Sequence, residues 1–205
     1  MNKLPLVILA IVCWIGTSGA NTGPAYDGNW WHSSSKDQHT GFIAGYIDCA
    51  VYEGGDKGLA NLSWNMLEPE ITSYYQGSGT AILTPVASVI RKLGSEKEPP
   101  KSSDAGEKWP EKHGIFDGDY WRQSLPEHRV GFVSGFLACY RNLSKKTASF
   151  SKSEVAYVSE VSRWYGVKED DPSEINEKRV DTKIADVLFR FKDAARSKRG
   201  TMKKN

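Results

Sequence analysis

Residues 26–49, YDGNWWHSSSKDQHTGFIAGYIDC, recur without a gap at 116–139 as FDGDYWRQSLPEHRVGFVSGFLAC. Eight of the 24 aligned positions are identical: Asp27/Asp117, Gly28/Gly118, Trp31/Trp121, Ser34/Ser124, Gly41/Gly131, Phe42/Phe132, Gly45/Gly135 and Cys49/Cys139. A duplication of this kind constrains the fold more than any single motif, because each copy must build the same local structure. The offset of 90 persists where residues 70–75 align with 160–165. A polar, Pro-bearing stretch within 168–180 then adds eight residues, after which 84–93 align with 182–191 at an offset of 98. Such an insertion suits a surface loop. The chain therefore divides into unit 1 at 26–93, a polar linker at 94–115, unit 2 at 116–191 and a basic tail at 192–205.

Ahead of the first unit, Lys3 precedes an apolar run over residues 4–15, followed by the small residues Ser18 and Ala20. These are the parts of a cleavable secretory signal, and residues 1–20 read as one. A run of 12 apolar residues rises only about 18 Å as a helix, against roughly 30 Å of membrane hydrocarbon. The expectation is a periplasmic or secreted protein with no membrane association after cleavage. Cleavage would discard Cys13 and leave one cysteine in each copy, Cys49 and Cys139.

The segment 41–53 is apolar or small on nearly every side, which marks a buried central helix. On it Gly41, Gly45 and Cys49 recur every fourth residue and form one stripe, as do Gly131, Gly135 and Cys139 in the second copy. Small stripes let two helices approach closely. The arrangement expected is all-α: two tandem three-helix units packed about a pseudo-two-fold axis and sharing one core. Cys49 and Cys139 would then meet in a disulfide, the alternative being two buried free thiols. The second helix of unit 2 is expected to be capped by Ser153 and to bury Val155, Val158, Val161 and Tyr165. The third helix of unit 1 is expected to start with Thr84 as cap and Pro85 in its first turn, burying Val86, Val89, Ile90 and Leu93. Its counterpart would bury Ile184, Val187, Leu188 and Phe191.

Motifs for catalysis are lacking: no Gly-x-Ser-x-Gly, helical His-Glu-x-x-His, phosphate loop or dinucleotide fingerprint occurs. The histidines 32, 39, 113 and 128 have no ligand spacing, and their partners in the other copy are arginine or glutamine where the copies align, so they read as solvated surface with no metal. A net charge of +2 gives no basis for nucleic-acid binding. No cofactor is expected. Asp48 stands out as a lone acid on the apolar helix, with Ala138 in its place in the other copy. It sits either at an exposed helix edge or against a buried partner or pocket. The Asp-Gly-x-aromatic-Trp motif puts Trp30, Trp31, Tyr120 and Trp121 forward as partner-contacting residues, the structural alternative being a turn whose Trp covers the central helix. Asn61 and Asn142 begin short glycosylation patterns.

The repeated Gly-Phe-x-x-Gly-aromatic-x-x-Cys, at 41–49 and 131–139 with Trp31 and Trp121 ahead of it, resembles the small periplasmic immunity proteins of type VI secretion systems, the Rap/Tai kind. The resemblance implies a helical bundle, commonly a homodimer, that binds and blocks a cell-wall-degrading effector. Here the unit is duplicated in one chain, and the early cysteine that such proteins pair with the later one is absent. The resulting expectation is a non-enzymatic binding or inhibitor protein with a protein partner in the cell envelope, monomeric as an internal pseudo-dimer. A carbohydrate or cell-wall binding module is the first alternative, and a hydrolase using Asp48 the second.

Overall fold

Asp27 and Asp117 each start a short helix in the same way. The carboxylate of Asp27 accepts from the backbone N–H groups of Asn29 and Trp30 at 3.0 and 3.2 Å, and that of Asp117 from Asp119 and Tyr120 at 3.0 and 3.1 Å. The computed structural model describes residues 26–54, 59, 64–77, 79, 81–96, 116–143, 150–168 and 175–192. The signal segment, Cys13, Asn61, His113, the linker after Glu96 and the tail after Lys192 lie outside the described residues.

Eight α-helices and no strand occur among the described residues: α1 (Gly28–Ser33), α2 (Lys36–Tyr52), α3 (Trp64–Gln76), α4 (Val86–Glu96), α5 (Gly118–Gln123), α6 (Pro126–Leu143), α7 (Glu154–Tyr165) and α8 (Ile184–Arg190). The fold is all-α, with four helices in each copy rather than three. The additional helix is the Asp-Gly motif itself, which forms a capped helix and not a turn. A capping box of Ser35 and Gln38 opens α2, and Pro126 occupies the first position of α6.

The centre of the molecule is the contact between α2 and α6. A Cβ on Gly45 would come within 1.9 Å of the Phe132 carbonyl oxygen, and one on Gly135 within 1.9 Å of that of Phe42. Gly41 lies likewise on His128, and Gly131 on Gln38, with hypothetical Cβ distances of 2.2 and 2.3 Å to the carbonyl oxygens. Only glycine permits such backbone contact. Further along the same face Cys49 and Cys139 are joined by a disulfide, their Cα atoms 6.1 Å apart.

Around this pair the same ties appear in each copy. The N–H of Val86 donates to the Tyr26 carbonyl and that of Ile184 to the Phe116 carbonyl, both at 2.8 Å. The Tyr75 hydroxyl donates to the Thr84 carbonyl at 2.8 Å and the Tyr165 hydroxyl to the Thr182 carbonyl at 2.6 Å. One hydrophobic core runs through both copies, from Trp31 and Phe42 to Trp121, Phe136 and Leu188.

Several local expectations change. The fourth helix starts at Val86, where the Tyr26 carbonyl takes up the first N–H, so Thr84 is not its cap. Ser153 does cap α7, but Val155 is 65% exposed and Tyr157 takes the buried position. Gly94 is buried within α4, so the helix extends into the expected linker. The insertion is not wholly a surface loop. Its Asn176 N–H reaches back to the Tyr165 carbonyl at 2.6 Å, and Val180 accepts from the Gly118 N–H at 2.8 Å. No helix among the described residues is long and apolar enough to cross a membrane.

Candidate functional site

The aromatic motif divides cleanly by position. Trp31 and Trp121 are 1% and 0% exposed, and their indole N–H groups donate to Thr72 and Ser162 hydroxyls, both at 3.0 Å. Neither ring presents a face to a partner or a sugar, which corrects the reading of these two as contact residues. Trp30 and Tyr120 are partly buried against the core. The Tyr120 hydroxyl is hydrogen-bonded to His128 Nε2, and His128 Nδ1 to the Thr40 hydroxyl at 3.2 Å.

His39, His128 and Arg129 are buried, so reading these positions as solvated surface is also corrected; His32 is exposed. His39 Nε2 donates to the Trp31 carbonyl at 2.6 Å, and its ring stacks on Trp31 with centroids 3.8 Å apart. In the other copy Arg129 Nε donates to the Trp121 carbonyl at 2.9 Å. The shared requirement is a donor that satisfies the last carbonyls of the short helix. His39 Nδ1 then faces Glu68 Oε1 at 3.4 Å, which also accepts from Thr72 at 3.2 Å. Burial holds His128 below the usual histidine range, with Asp37 acting in the opposite direction.

Among the described residues one carboxyl is strongly perturbed, that of Asp48, at the seam between α2 and α8. Part of Asp48 remains open to solvent, but its Oδ2 is sealed and has no hydrogen-bond partner among the described residues. Burial pushes the Asp48 carboxyl up to about 8; the Lys183 ammonium pulls it down and the Asp186 carboxylate adds to the rise. Asp186 Oδ1 accepts from the Tyr52 hydroxyl at 3.0 Å, and the Tyr52 ring stacks on Phe189 with centroids 4.9 Å apart. Thus α2 of the first copy meets α8 of the second through Asp48, Tyr52, Lys183, Asp186 and Phe189.

At the aligned positions the other seam carries Ala138, Asn142, Pro85, Ser88 and Arg91. The fold therefore does not need this cluster. Only Asp48 was singled out by the sequence; the signal for Lys183 and Asp186 lies in the same comparison of copies, at the offset of 98. No group of three or more His, Cys, Asp or Glu side chains suited to a metal ion occurs among the described residues.

Comparison of the chain with protein-family models, with curated proteins and with solved structures returned no match.

Proposed function

We propose that the protein is an exported, non-enzymatic binding or inhibitor protein acting on another macromolecule of the cell envelope. In this reading residues 1–20 are removed, the two units form an internal pseudo-dimer about a pseudo-two-fold axis, and the mature chain works as a monomer. The observation that carries the reading is where the exposed large apolar side chains stand. Val51, Tyr52, Met66, Leu83, Leu125 and Val155 are between 44% and 72% exposed. Each occurs in one copy only, opposite Arg141, Asn142, Ala156, Asp181, Ser35 and Asn65 respectively. Single exposed apolar residues are ordinary on protein surfaces. Tyr52 already packs on Phe189; the other five, which the other copy replaces with polar or small residues, are not required by the shared scaffold, and contact with a partner gives them a role. The resemblance of the repeated glycine motif to type VI immunity proteins points the same way.

The test is affinity capture of the mature protein from the envelope extract of its own cells, using wild type and variants that carry the other copy's residue. The expected outcome is a stoichiometric protein partner that V51R, L83D, L125S or V155N loses without a change in melting temperature. Repeated recovery of no partner, or capture that none of the four variants alters, overturns the reading. A shift of tryptophan fluorescence with glycan fragments favours the carbohydrate-binding alternative instead.

A further inference from the structure

A carboxyl oxygen sealed inside a helix seam without a hydrogen-bond partner is costly when charged. Asp48 Oδ2 is in that position. Two charged groups act on it, Asp186 on α8 and Lys183 at the N-cap of that helix. The hydroxyls of Tyr52 on α2, Tyr120 on α5 and Tyr165 on α7 in turn feel its charge. Asp186 is held in place by the Tyr52 hydroxyl at 3.0 Å, so a second carboxylate is fixed at the same seam. The other seam, of α6 with α4, has alanine and serine at the two carboxylate positions, Ala138 and Ser88.

We propose that the α2–α8 seam is a proton-gated contact: α8 stays docked while Asp48 carries its proton, and undocking releases that proton to solvent. An undocked Asp48 is an ordinary carboxyl, ionising near pH 4. A docked one ionises only at about 8. Between these values every undocking event releases a proton, so the undocked fraction rises with pH, by up to about tenfold per unit, and levels off above the upper value. Local undocking of the α6–α4 seam carries no such dependence from this position, because Ala138 cannot titrate.

Two amides report the two seams. The Val187 N–H is bonded to the Lys183 carbonyl at 3.1 Å, and its aligned counterpart, the Val89 N–H, to the Pro85 carbonyl at 3.2 Å. Amide hydrogen exchange of the mature protein, corrected for intrinsic rates and followed by NMR between about pH 5 and 8, should show protection at Val187 falling several-fold per pH unit while that at Val89 stays level. In Asp48→Asn the Val187 slope should vanish; Asp48→Ala, which copies Ala138, serves equally if the asparagine variant does not fold. Asp186→Asn should end the slope at a lower pH, and Lys183→Met should carry it to a higher one. The same slope in Asp48→Asn as in wild type, or Val89 changing in step with Val187, overturns the proposal.

Discussion

Gly45 lies directly on the carbonyl oxygen of Phe132, so that a Cβ at this position would come to 1.9 Å from it. The obstacle is backbone, not the end of a flexible side chain, and relief requires α2 and α6 to separate. Overpacked cores lose about 1–3 kcal/mol and sometimes more. Gly45→Ala and Gly135→Ala should each fall at or above the upper end of that range in urea unfolding. Gly79→Ala is the control, since nothing lies within 4 Å of a Cβ there, and should change stability by less than about 1 kcal/mol.

The disulfide should be stabilising to a degree set by its span. It joins residues 90 apart in sequence, and in the chain-entropy model a loop of that length contributes about 4–5 kcal/mol. The Cys49→Ser/Cys139→Ser double variant should therefore lose roughly that amount in denaturant unfolding. Intact mass after alkylation of a chain starting at residue 21 should reveal no reactive thiol without reductant; two alkylated thiols in the native, unreduced protein would remove the bond.

The exchange of His39 for arginine tests whether the copies share one solution to the same local problem. Arg129 Nε already makes the bond to Trp121 that His39 Nε2 makes to Trp31, and Glu68 stands ready as a counter-charge. His39→Arg should be tolerated within about 1 kcal/mol, whereas His39→Ala leaves the Trp31 carbonyl without this donor and should cost about 1–3 kcal/mol. Thermal melts of the two variants side by side decide the matter, and equal loss in both would count against the shared role.

What could be read in advance follows from which information is local. The glycine stripe and the cysteine meeting were legible because four-residue spacing survives in both copies, and spacing on a helix is geometry. Asp48 was visible as an anomaly for the same reason, yet its neighbours were not: Tyr52 and Asp186 are 134 residues apart, and no periodicity within either copy reports which helix of the second covers the first. Polarity does not mark exposure at His39, His128 and Arg129, all of which are buried. His39 and Arg129 share a role as hydrogen-bond donors to a carbonyl, which residue type alone does not disclose. Val155 failed because the buried stripe of α7 is rotated toward Tyr157 and Val161, a choice made by packing rather than by hydropathy.

The pH dependence of global stability follows from the Asp48 carboxyl. Its folded value, about 8, lies above the ordinary carboxyl value of 3.8. Between them the native state holds a proton that the unfolded chain has already released, so this group's contribution to stability falls as pH rises, by at most about 1.4 kcal/mol per unit. Below the lower value both states are protonated, and above the upper one both are ionised, so the contribution is flat at each end. Asp48→Asn should therefore be more stable than wild type at pH 8, with the difference shrinking toward pH 4. Urea unfolding of the two proteins at several pH values measures that difference directly, with every other titrating group cancelling in the comparison. A difference that stays constant across the range would mean that the carboxyl is already ionised in the folded protein.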